Sequence, residues 1–123
     1  MAQKILVVED NANNATLLRD ILSVHGYEII EAGNGEEGVK KAGEEKPDLI
    51  LMDIQMPVLD GFAAAKMLRA NPATKDIKIV GITSYAMKGD KEKVMAAGFD
   101  LYVSKPINTR ELPKQIKELL AGK

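Results

Sequence analysis

Strand-like and helix-like patterns alternate five times along this chain, and few architectures accept that order. The strand-like runs are short: Lys4 to Val8, Glu28 to Ala32, Leu49 to Met52, Ile79 to Ile82 and Leu101 to Ser104. Runs such as Leu49-Ile50-Leu51-Met52 show no polar alternation, so they predict strands buried on both faces. Helix patterns lie at about Asn13 to His25, Glu36 to Glu45, Gly61 to Asn71, Asp90 to Ala97 and Thr109 to Ala121. Their expected inner stripes are Leu17, Leu18, Ile21 and Leu22 in the first, Ala64, Met67 and Leu68 in the third, and Leu112, Ile116, Leu119 and Leu120 in the last. Gly26, Gly33-Asn34-Gly35, Pro47, Asn71-Pro72 and Gly98 punctuate them. Asn108 and Glu111 form a capping pair for the last helix, where Pro113 should cost a hydrogen bond or delay the helix start.

Strict alternation implies a parallel sheet covered on both faces, with right-handed crossovers. The second strand is the most polar and suits an edge. The expected fold is therefore an α/β, flavodoxin-like, doubly wound sheet of five strands in the order 2-1-3-4-5, with five helices. The 123 residues make one domain, with no linker or low-complexity segment.

Composition narrows the function classes. A formal net charge of −1 supplies no basic field for nucleic acid or anionic membrane. The chain has no cysteine, which excludes disulfides and thiolate metal sites. No apolar stretch approaches a membrane span, and Met1-Ala2-Gln3-Lys4 has no signal-peptide character. A cytoplasmic protein is expected.

The polar residues that end the strands carry the chemistry. Glu9 and Asp10 follow the first strand, Asp53 ends the third, Thr83 the fourth and Lys105 the fifth. Open parallel sheets place their ligands at the C-terminal ends of the strands, at the point where strand order reverses. The order 2-1-3-4-5 makes that point the crevice between the first and third strands, so Glu9, Asp10 and Asp53 should converge there. Each acid alone would be an ordinary solvated loop residue; three at adjacent strand ends call for a cation. With hard oxygen donors and no nearby His or Cys, the expected ion is Mg²⁺. Asp10 and Asp53 are the candidate direct ligands, Glu9 binds directly or through water, and the Gln55 backbone carbonyl fills a further position.

Asp53 is also a candidate nucleophile, because carboxylates can form aspartyl phosphates. Lys105 and the Thr83 hydroxyl would then meet oxygens of the transferred group. This expectation requires the acids at one sheet rim and an Asp53 side chain that is not sealed off from solvent. No glycine-rich phosphate loop follows the first strand, which disfavours nucleotide and flavin binding.

These residues resemble, over the whole chain, the receiver domain of two-component response regulators. The matching segments are Val8-Glu9-Asp10-Asn11, Pro47 to Asp53, Met56-Pro57 with Asp60-Gly61, Thr83, Gly98-Phe99-Asp100 and Ser104-Lys105-Pro106. Glu9-Asp10-Asn11 and Ala86-Met87-Lys88-Gly89-Asp90 are most similar to the cell-division regulators of the DivK type. The resemblance implies that Asp53 accepts a phosphoryl group from a histidine kinase or histidine phosphotransfer protein, using Mg²⁺. It implies a switch made of Thr83 and Tyr102, and an effector protein bound through the fourth helix, fifth strand and fifth helix. It further implies that Gln55 and Tyr85 govern access of water to the phosphoryl group. Ser84 departs from the alanine common after the switch threonine, and Glu9 from the commoner aspartate.

The expected function is a single-domain response regulator that catalyses only its own phosphorylation and dephosphorylation. Two other readings compete with it. An aspartate-dependent phosphatase would carry a second acid at position 55, where Gln55 stands. A binding module that has lost phosphorylation would not need Asp10, Asp53, Thr83 and Lys105 together. His25, the single histidine, sits at a helix end and is poorly placed as a phosphodonor.

Overall fold

The computed structural model describes residues 3–54, 61–83, 92, 95–104 and 107–121. Five parallel strands form one sheet in the order β2-β1-β3-β4-β5: β1 Lys4–Val8, β2 Glu28–Ala32, β3 Leu49–Asp53, β4 Lys78–Thr83 and β5 Leu101–Ser104. Among the described residues the helices are α1 Ala12–Ser23, α2 Gly35–Glu45, α3 Gly61–Ala70 and α4 Glu111–Ala121. The further helix expected near 90–97 falls largely outside the described residues.

Side chains alternate across the sheet, and each face has its own core. Ile5, Val7, Leu49, Leu51, Val80 and Ile82 pack with Leu18 and Leu22 of α1 and with Leu112, Ile116 and Leu120 of α4. Leu6, Val8, Ile50, Met52 and Ile79 pack on the other face, with Ala42 of α2 and with Ala64, Ala65 and Leu68 of α3. All five residues of β3 are buried, as expected of a central strand, whereas β2 lies at an edge with only Ala32 buried.

Two stripe assignments are corrected. Leu17 is 42% exposed and Met67 49% exposed. The inner face of α1 is Ala15, Leu18 and Leu22, and that of α3 is Gly61, Ala64, Ala65 and Leu68. Leu17 and Met67 sit one residue, about 100° of helix rotation, from the buried Leu18 and Leu68, which carries them off the inner stripe.

Local signals explain the boundaries. Asn11 Oδ1 accepts from the Asn14 N–H at 3.1 Å and Asn34 Oδ1 from the Glu37 N–H at 2.8 Å, capping α1 and α2. The chain leaves α1 through Gly26, whose φ of 86° favours glycine. Asn108 Oδ1 accepts from the Arg110 and Glu111 N–H groups, both at 3.0 Å. Regular helix starts at Glu111, two residues later than the pattern suggests, so that Pro113 falls in the first turn, where a missing N–H costs least.

Candidate functional site

Strand register builds the site. β1 pairs with β3 as Val7↔Leu51 and Val8↔Met52, so one further step sets Glu9 beside Asp53. Glu9 and Asp53 continue the alternation of Val7 and Leu51, so both side chains leave the sheet on the α1/α4 face. The Glu9 N–H donates to the Ala32 carbonyl at 3.0 Å, which holds the chain in line just beyond β1. Asn11, the cap of α1, donates its N–H to Glu9 Oε1 at 3.1 Å, tying the acid to the start of that helix. Carboxylate oxygens of Glu9, Asp10 and Asp53 all lie within 4.8 Å of one another.

Burial differs sharply among the three. Glu9 is 4% exposed and Asp53 3%, whereas Asp10 is exposed. Asp53 is far from open, but it keeps slight contact with solvent and is not sealed off. Asp53 ends a central strand, flanked by β1 and β4, and its contact with solvent is slight. Asp10 marks the solvent side of the cluster.

Three anionic oxygens donated into so small a volume fit a hard divalent cation. An octahedral ion with bonds of about 2.1 Å holds adjacent ligands roughly 3 Å apart and opposite ones roughly 4 Å apart. The observed spacing needs little contraction to reach those values.

Thr83 ends β4 one residue past Ile82, the partner of Asp53, and is 3% exposed. Gly81 pairs with Tyr102 and Thr83 with Ser104, so Thr83 and Tyr102 share the α2/α3 face on adjacent strands, two register steps apart. Tyr102 is half-buried against the core of that face. Gln55, Ser84, Tyr85, Lys105 and Pro106 lie outside the described residues.

The α3 helix supports the site from below. Gly61 opens it with its N–H donated to the Ile54 carbonyl at 3.0 Å, one residue after Asp53. The sequence marks Gly61 as the start of the third helix and as part of the Asp60-Gly61 segment; its contact with the Asp53 strand depends on tertiary placement. Asn11 was likewise legible only as part of a motif, although Asn before an apolar-periodic segment is a cap signal. Among the described residues, no helix is long and apolar enough to cross a membrane.

The family profile of the response regulator receiver domain matches residues 5–117. A polar-differentiation response regulator DivK of Brucella anthropi is 40% identical over 120 residues, covering 98% of each chain. Among solved structures, the receiver domain of the sensor histidine kinase PA1611 of Pseudomonas aeruginosa superposes with a TM-score of 0.90 at 35% identity, covering 100% of both chains. That structure has a magnesium ion coordinated in its active site cleft. A Saccharomyces cerevisiae receiver domain, solved in complex with a histidine phosphotransfer protein, gives a TM-score of 0.86 at 34% identity over 95% of this chain and 88% of its own. The crevice between β1 and β3, its three acids and these matches lead to one assignment: the chain belongs to the response regulator receiver domain family.

Proposed function

We propose that Asp53 is the phosphoacceptor of a phosphorylation-controlled signalling domain, fed by a histidine kinase or a histidine phosphotransfer protein. The observation that carries this reading is the meeting of Glu9, Asp10 and Asp53 within 4.8 Å at the strand-order reversal. An Asp53 carboxylate oxygen attacks phosphorus in line. The P–N bond of the phosphohistidine breaks, the P–O bond to Asp53 forms, and the imidazole leaves with the electron pair and takes a proton from water. Hydrolysis of the acyl phosphate returns Asp53 and inorganic phosphate.

Glu9, Asp10 and Asp53 would hold Mg²⁺, joined by the Gln55 backbone carbonyl. Bound there, the ion offsets the charge of the carboxylates and of the incoming phosphoryl oxygens. The protein's own contribution is positioning and charge. Asn11 orients Glu9 through its N–H, Thr83 donates its hydroxyl to a phosphoryl oxygen, and Lys105 neutralises another. Turning of Thr83 toward the phosphate frees space beside Tyr102, which moves inward; this alters the surface made by the residues around 90–97, β5 and α4. The output is contact with an effector protein, with neither nucleic acid nor membrane as target.

We take residues 1–123 as one cytoplasmic receiver domain that does not turn over small-molecule substrates. The DivK relative, a response regulator matched over 98% of its length, supports the single receiver domain. The test is transfer of label from a phosphorylated histidine phosphotransfer protein. Label should move to the wild type and not to Asp53→Asn. Transfer that persists in Asp53→Asn, or steady hydrolysis of p-nitrophenyl phosphate, would defeat the proposal.

A further inference from the structure

A groove of about 840 Å³ lies on the side of α4 that faces the connection between α1 and β2, where His25 and Tyr27 contribute to its wall. Arg110, Pro113, Lys114 and Lys117 line it from the α4 side. Arg110 stands just before α4, and Pro113, Lys114 and Lys117 follow it at spacings of three and four residues on one side of that helix. Among the described residues that line the groove there is no acid, and none of the three cations joins an ion pair. The cavity on the other side of α4, against β5, differs: it mixes Lys78 with Glu118.

This segregation is not a property of the chain as a whole. Lys and Arg total 17 against 18 acids, so setting these three cations apart leaves the remainder with a surplus of four acids. Among the described residues no acid faces these three cations across the groove, so a partner of opposite charge would meet them unopposed.

We infer that this groove docks an extended acidic peptide segment of a protein partner. Arg110 and Lys117 are seven residues apart, about 10 Å along a helix. One phosphate cannot touch both, whereas three or four residues of extended chain span that distance at about 3.3 Å each. Pro113 is buried and Tyr27 half-buried, so the groove floor is apolar between the charges. Burial pushes the Tyr27 phenol up, so it stays a neutral hydrogen-bond donor for a peptide carbonyl or carboxylate. The matching ligand alternates Asp or Glu with one apolar side chain. Pro113 thereby gains a role: its ring is floor for the ligand as well as part of the core. None of the residues lining the site belongs to the carboxylate cluster.

The test is fluorescence anisotropy with a labelled eight-residue peptide of alternating Glu and Leu, against the same peptide with Lys for Glu. The wild-type protein should bind the acidic peptide, more weakly as NaCl rises. The variant Arg110→Ala/Lys114→Ala/Lys117→Ala should bind about tenfold more weakly or worse. All three side chains are exposed, so circular dichroism should show the fold kept; Lys114→Glu alone serves if the triple variant unfolds, and should also weaken binding. Lys40→Ala/Lys66→Ala/Lys75→Ala, which removes three exposed cations elsewhere, should bind as the wild type does. Equal binding of the two peptides, equal loss in both triple variants, or displacement of the peptide by inorganic phosphate at matched ionic strength would overturn the inference.

Discussion

Gly61 and Ile54 meet so closely that a Cβ on Gly61 would lie 2.6 Å from the Ile54 Cα and 3.1 Å from the Asp53 carbonyl oxygen. Both are backbone atoms, so neither can swing aside. Helix α3 is thus seated on the strand end that carries Asp53, and only glycine allows the approach.

Gly61→Ala should lower stability by about 1–3 kcal/mol, as overpacking against fixed atoms does. Urea unfolding monitored by circular dichroism measures this. Phosphoryl uptake at Asp53 should slow as well, because the strand end must shift. Wild-type stability in Gly61→Ala would contradict the close packing.

Arg69 ties the far end of α3 to β4 and to the segment before β5. Its guanidinium donates to the carbonyls of Gly98, Lys75 and Ile77 and to Asp100 Oδ2 at 2.8 Å. Asp100 Oδ2 also accepts from the Ile79 N–H at 2.8 Å. Arg69→Ala should cost about 2–4 kcal/mol, because several half-buried acceptors lose their donors at once. Arg69→Lys should recover little, since an ammonium lacks the planar fork. Full recovery by lysine, read from the urea midpoint, would show that charge alone matters.

The carboxylate cluster predicts opposite responses to neutralisation and to metal. Without a divalent ion, Asp10→Asn should stabilise the protein by several tenths to about 1 kcal/mol, by removing one of three crowded like charges. With Mg²⁺ at ten times its dissociation constant, the wild type should gain about 1.4 kcal/mol. Asp10→Asn should gain much less. Thermal melts with and without MgCl₂ check both signs, and equal gains in the two proteins would remove Asp10 from the ligand set.

Thr83 and Tyr102, diagonal neighbours two register steps apart on one sheet face, should report phosphorylation together. With fluorotyrosine incorporated, the Tyr102 ¹⁹F resonance should shift on phosphorylation in the wild type and hold still in Thr83→Ala. A shift that survives Thr83→Ala would uncouple the two residues.

Sheet order and the meeting of the three acids were legible because each rests on a strong pattern: strict β-α alternation, and acids that end unbroken apolar runs. The helix stripes were less so. Ala64 and Ala65 carry little hydrophobic signal beside Met67, yet their small size sets the α3 packing distance. The Arg69 clamp uses mainly backbone carbonyls, which no residue pattern announces. The low exposure of Asp53 goes with its place at the end of β3, between β1 and β4, and no residue pattern announces how far such an end is enclosed. Pro113 was visible as a conflict, but its place in the first turn of α4 and on a groove floor required the assembled fold.

The most direct measurement is incubation with acetyl phosphate, in MgCl₂ or in EDTA, followed by intact-mass spectrometry of the wild type and Asp53→Ala. The account predicts a single phosphoryl adduct in the wild type with Mg²⁺, and none in EDTA or in Asp53→Ala. An adduct that forms without the metal, or on the Asp53→Ala protein, would contradict it.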